Sequence, residues 1–159
     1  MRFEGNYTDA GMPTRSFNVK TVGINDAWVE IFDTSRQSWN NAGAGVTIGR
    51  NASAPSTFTA ADYPASWLGL YTPYGSRHVD RRFMIQINVR GLRQQVPGPH
   101  SKYLRWSRSV TVHELGHALS LPDNPATPLP SIMKYDVDRT KVTTPTVWDA
   151  SQVRRIYTP

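Results

Sequence analysis

His113-Glu114-Leu115-Gly116-His117, followed by Asp123 and then by Ser131-Ile132-Met133-Lys134-Tyr135, is the stretch that decides how this 159-residue chain is read. On a helix His113 and His117 lie one turn apart on the same face, so both imidazoles can reach one metal ion. Glu114 points just beside that face, where it can touch a water at the metal without ligating the ion. Two ligands plus a base make a geometry for zinc-assisted hydrolysis. Zinc at such a site needs a third protein ligand and an open fourth position. Pro122 cannot continue a helix, so the chain must turn there and can swing Asp123 back toward the metal. The plainer reading of Asp123, before Asn124-Pro125, is an ordinary turn residue.

The spacing resembles the metzincin motif H-E-x-x-H-x-x-G-x-x-H/D, with His113, Glu114, His117, Ser120 and Asp123 in its places. Aspartate in the third ligand position is the form seen in the snapalysin-like bacterial proteases. Residues 131–135 resemble the Met-turn of that clan, in which a buried methionine, here Met133, packs beneath the zinc. Tyr135 matches the position of the zinc-side tyrosine of astacins and serralysins. The resemblance implies an α+β fold, with a twisted mixed sheet over two long helices and a small C-terminal subdomain. It also implies one catalytic Zn2+ held by His113, His117 and Asp123, with Glu114 as general base and Tyr135 as a catalytic hydrogen-bond donor. The implied activity is endopeptidase cleavage of extended protein or peptide substrates, by a monomer, outside the cell.

Two departures from the family pattern stand out. Metzincins place Gly where this chain has Ser120, because the helix ends there in a left-handed conformation that Gly tolerates best. Serine in that conformation costs roughly 1 kcal/mol, so on steric grounds Ser120→Gly is expected to be neutral or stabilising. The chain also has no cysteine, whereas snapalysins carry a bridge near the Met-turn, which leaves Asn124 to Pro130 held by prolines alone. Ser120 is the one feature favouring a rival reading, a catalytically weak zinc-binding interaction module. Glu114 argues against it, since a structural zinc site has no use for a carboxylate beside an open position.

The length suits one domain, with residues 15–159 as the catalytic unit and 1–14, rich in Gly, Asn, Asp and Pro, as an extended or disordered lead-in. No stretch approaches the roughly 20 apolar residues of a membrane span. No charged-then-apolar leader opens the chain, so the expectation is that a secretion signal is absent or already removed. The net charge is +6, yet residues 76–110 alone carry eight basic residues against Asp80, a local +7. That cluster reads first as a solvated basic face, and otherwise as an attraction to acidic substrates or anionic surfaces. No nucleic-acid-binding motif accompanies it.

Along the chain, Ser16 to Val22 alternates like a first strand. Asn25 or Asp26 then caps a helix whose Trp28, Ile31, Phe32, Ser35 and Trp39 form an apolar stripe. A short strand follows at Gly45–Arg50, then a Ser, Ala and Pro-rich loop around Asn51–Ser56. Further strands are expected at Ser66–Thr72, the candidate edge for substrate, and at Arg82–Arg90. Gly91 to His100 reads as loop, and the zinc helix as about 107–121 with Val110, Val112, Leu115 and Leu119 inward. Thr146-x-x-Asp149 resembles a capping box opening a last helix at about 147–157. His78 and His100 read as solvent-exposed.

Overall fold

The computed structural model describes residues 7–158. In chain order the elements are β1 (Ser16–Thr21), α1 (Asp26–Asn40), β2 (Thr47–Arg50), β3 (Thr57–Ala61), β4 (Gly69–Tyr74), β5 (Arg82–Asn88), α2 (Val89–Gln95), α3 (His100–Ala118) and α4 (Val147–Tyr157). The five strands form one sheet in the order β2-β1-β3-β5-β4. All neighbours pair in parallel except β4, which runs antiparallel to β5 at the sheet edge. This is the mixed-sheet α+β architecture that the sequence led us to expect.

Both long helices bury the faces their sequences mark. Trp28, Ile31, Phe32, Ser35 and Trp39 of α1 are all buried, and Asn25 caps the helix by accepting from the Trp28 N–H at 3.0 Å. Helix α1 packs against β2 and α3, and α3 lies against β4 and β5. The Trp39 indole N–H donates to the Val112 carbonyl of α3 at 3.0 Å, so the helix–helix contact is polar as well as apolar. Among the described residues no helix is long and apolar enough to cross a membrane.

Several boundaries differ from expectation, each for a local reason. β3 falls where no strand was expected: its Thr57-Phe58-Thr59-Ala60-Ala61 alternates burial correctly, but small residues give a weak signal. The strand expected to reach Arg90 stops at Asn88, whose side chain accepts from the Gly91 N–H and caps α2 inside the expected loop. The same buried Asn88 amide donates to the carbonyls of Ala65 and Trp67, at 3.1 and 3.0 Å, so β4 begins at Gly69 and not at Ser66. Helix α3 starts seven residues earlier than expected, because Ser107 spends its hydroxyl on the Tyr103 carbonyl instead of acting as a cap. His78 and His100 are exposed, as expected.

The end of α3 positions everything that follows. Ser120 has φ 69°, the left-handed conformation anticipated for this turn. The Leu121 N–H returns to the Gly116 carbonyl and the Ser120 N–H to the His117 carbonyl, both at 3.0 Å. Those paired bonds are a Schellman ending. The orphan carbonyls beyond are met by the N-terminal segment: Met12 N–H donates to Ala118 and Thr8 N–H to Ser120. Residues 1–6 of the expected lead-in lie outside the described residues, but residues 8–12 are docked against α3. Two cations of the basic stretch hold them, Arg77 through the Thr8 carbonyl and Arg81 through those of Asp9 and Gly11. These two arginines are clamps, not part of a solvated face.

Ser120 is fully buried and its hydroxyl is not idle. Arg77 Nη1 donates to Ser120 Oγ at 2.7 Å, Ser120 and the Tyr157 hydroxyl lie 2.8 Å apart, and Tyr157 donates to the Met12 carbonyl. Because Tyr157 has given its only proton to a carbonyl, Ser120 must be the donor to Tyr157. The chain Arg77 to Ser120 to Tyr157 to Met12 therefore runs in one direction and ties β4–β5, α3, α4 and the N-terminal segment together. That corrects the expectation for Ser120→Gly. Relief of about 1 kcal/mol of backbone cost is outweighed by losing a charge-assisted bond worth about 1.5–3 kcal/mol and a neutral one worth about 1. We predict that Ser120→Gly lowers unfolding stability by about 1.5–3 kcal/mol and that Ser120→Ala, which keeps the backbone cost, lowers it by roughly 1 kcal/mol more. Urea unfolding of the three proteins checks the ranking, and an unchanged or raised stability in Ser120→Gly would contradict it.

Candidate metal centre

His113 and His117 project from the last turns of α3 with their rings nearly perpendicular and 4.8 Å apart at the centroids. Each Nδ1 faces a backbone carbonyl, His113 toward Ile132 at 3.0 Å and His117 toward Leu121 at 2.8 Å. A carbonyl can only accept, so in the neutral rings both hydrogens sit on Nδ1 and both Nε2 atoms present lone pairs. Those lone pairs converge on Asp123 Oδ1, 2.9 Å from His113 Nε2 and 3.1 Å from His117 Nε2. Three acceptor atoms packed this closely repel unless a cation or shared proton lies among them.

The donor set fits zinc. Nitrogen and oxygen ligands at about 2.0–2.1 Å from a tetrahedral ion stand about 3.3 Å apart, close to the separations seen here. Glu114 is also near, its Oε2 3.8 Å from His113 Nε2, and the ligand atoms of His113, Glu114 and His117 all fall within 4.8 Å of one another. Asp123 nevertheless touches both rings, whereas Glu114 stands back by one layer. When the rings carry a proton on Nε2, their hydrogen bonds hold the Asp123 carboxyl well below the usual carboxylate range, against its partial burial. Burial disfavours a charged His117, but Asp123 and Glu114 outweigh it and shift the ring upward. Burial pushes the Glu114 carboxyl up, although both histidines pull the other way.

The support beneath the site is equally specific. Ser131, Ile132 and Met133 form a buried turn under α3. A β-carbon on Gly116 would stand 2.5 Å from Met133 Sδ, so the glycine between the two histidines is what lets the methionine pack there. Asp149 holds that turn from α4. It accepts from Ser131 Oγ at 2.6 Å and the Ile132 N–H at 2.9 Å, while completing the expected capping box with Thr146. The Ile132 carbonyl that orients His113 is thereby fixed by a helix cap. The Asn124 N–H donates to the Met133 carbonyl at 2.9 Å, so the loop after Asp123 is tied by more than its prolines.

A cleft of about 750 Å³ opens over these residues, between α3, the residues after the buried turn and edge strand β4. Gly69 allows the strand to come so near, for a β-carbon there would lie 2.8 Å from Glu114 Oε2. Tyr135 lines the cleft but is 67% exposed, and among the described residues its hydroxyl has no partner. Sequence reasoning brought together His113, Glu114, His117, Asp123 and Tyr135. It missed Trp106 and Arg139, which also line the cleft and belong to no motif, while Gly69 lies in the strand expected as the substrate edge.

No family model matches the sequence, and no curated protein matches it. Solved structures do match. A chain in the GM1-bound form of the ECX AB5 holotoxin is similar at 16% identity with TM-score 0.63, covering 96% of this chain and 86% of that one. High choriolytic enzyme 1, a hatching enzyme zinc-protease from the medaka fish Oryzias latipes, is similar at 12% identity and TM-score 0.57, covering 96% and 94%. Archaemetzincin from Methanopyrus kandleri is similar at 11% identity and TM-score 0.55, covering 92% and 97%. What identities this low share is architecture, and the chain has the metzincin-like fold of these structures.

Proposed function

We propose that this chain is a zinc endopeptidase acting on extended protein or peptide substrates, with His113, His117 and Asp123 as the metal ligands. One observation carries the reading: two oriented imidazole lone pairs and a carboxylate oxygen meet at a single point, beside the buried carboxylate of Glu114. Bound there, zinc would polarise the scissile carbonyl and acidify a water molecule. Glu114 would accept a proton from the water as its oxygen adds to the carbonyl carbon, and pass it to the amine as the C–N bond breaks. Its burial removes competing solvent from the transfer. The free edge of β4 offers unpaired backbone groups to an extended peptide laid along the cleft, as an added strand would lie. Tyr135 sits at the cleft rim, where its hydroxyl would donate to the carbonyl oxygen as negative charge grows. Residues 131–135 act as the Met-turn, packing Met133 beneath the ligands. The expected setting is outside the cell, with the protein acting as a monomer. Ser120, the feature that favoured a decayed site, is a partnered residue in the conformation the turn requires, which supports an active centre.

The test is metal content and peptide digestion by the purified protein and two variants. Glu114→Ala should keep stoichiometric zinc and lose at least about 100-fold in turnover, while His117→Ala should lose the zinc. Zinc retained in His117→Ala, or undiminished digestion by Glu114→Ala, would sink the assignment. For Tyr135→Phe we expect unchanged zinc and a kcat lower by about 100-fold with little change in KM. An unchanged kcat would reduce Tyr135 to a wall residue.

A further inference from the structure

Past Glu114 the cleft continues along α3 to Val110 and Trp106, and Arg139 forms part of its wall. Arg139 is only 8% exposed. Its Nη1 donates to Ser109 Oγ at 2.9 Å and to the Ile132 carbonyl at 3.4 Å, and its Nη2 to the Lys134 carbonyl at 3.1 Å. All three acceptors are neutral, and a guanidinium has five donors. Among the described residues no carboxylate reaches ion-pairing distance of Arg139. Trp106 lines the same wall, and its indole N–H is buried without a partner.

The charge balance sharpens this. The carboxylates that act on Arg139 through space are Glu114 and Asp123. A bound dication offsets both of those charges, which leaves the guanidinium as the uncompensated charge of the cleft. A nearly buried cation with spare donors in the cleft wall is suited to a carboxylate, which can accept two guanidinium bonds side by side.

We propose that Arg139 makes the cleft selective for substrates with an acidic residue immediately after the scissile bond, an inference that rests on the endopeptidase reading above. The side follows from Glu114. The leaving nitrogen must come within reach of this base, so the residue owning that nitrogen lies on the Glu114 side of the metal. Its side chain is therefore the one that enters the space walled by Val110, Trp106 and Arg139. A purely structural Arg139, holding the Ile132 and Lys134 carbonyls, would give no such selectivity.

The test uses zinc-loaded protein and paired peptides identical except for Glu or Gln directly after the bond cut. We expect kcat/KM for the Glu peptide to exceed that for its Gln partner by at least about tenfold, and the ratio to fall within about twofold in Arg139→Gln once zinc content shows that the variant is folded. Equal rates on the pair in the parent protein overturn the inference, whether or not Arg139→Gln folds; so does a ratio that survives in folded Arg139→Gln. Binding of the same peptides to zinc-loaded Glu114→Gln, followed by calorimetry, reads the selectivity without turnover. Tighter binding of the Glu peptide with no hydrolysis of any peptide would remove the endopeptidase reading and leave Arg139 as a carboxylate site. Hydrolysis without discrimination would do the reverse.

Discussion

Ser120 holds a left-handed turn at the end of α3, and the cluster of His113, His117 and Asp123 forms because the chain reverses there. Without that reversal the Leu121 carbonyl could not reach back to His117 Nδ1, and Asp123 could not face both rings. The conformation is costly for a residue with a β-carbon. Here the cost is met by the Schellman pair of backbone bonds and by the directional chain from Arg77 through Ser120 and Tyr157 to Met12. The turn that ends α3 and the docking of the N-terminal segment are thus one polar network.

A second consequence concerns the direction of lone pairs. Two backbone carbonyls, from Leu121 and Ile132, decide which nitrogen of each imidazole is free. One of those carbonyls is itself set by Asp149, a residue whose first duty is to cap α4. The helix at the C-terminal end therefore reaches the centre through three links: cap, turn and carbonyl. Rigidity of this sort matters because ligand atoms held about 3 Å apart before a cation arrives need little reorganisation when it does.

What could be read in the sequence was local. The one-turn spacing of His113 and His117, the stripe from Trp28 to Trp39 and the Thr146–Asp149 box follow from helix geometry within a few residues, while the left-handed turn at Ser120 was implied by the resemblance alone. What could not be read depends on partners far along the chain. Asn88 ends a strand, caps a helix and pins Trp67 at once, and no periodicity announces that. The Ser120 hydroxyl gains its worth from Arg77, 43 residues away, a bond that a purely steric estimate of Ser120→Gly leaves out. Arg139 belongs to no motif, and only the fold buries it in the cleft wall without a carboxylate.

The central claim is that His113, His117 and Asp123 hold one zinc ion through the atoms that converge here. Zinc K-edge X-ray absorption on the zinc-loaded protein tests it most directly, because imidazole rings leave a distinct multiple-scattering signature and the chain has no cysteine sulfur to confuse it. The account predicts a four-coordinate ion with two imidazoles and oxygen neighbours at about 2.0–2.2 Å. A spectrum showing one imidazole or none, or a six-oxygen shell, would contradict it.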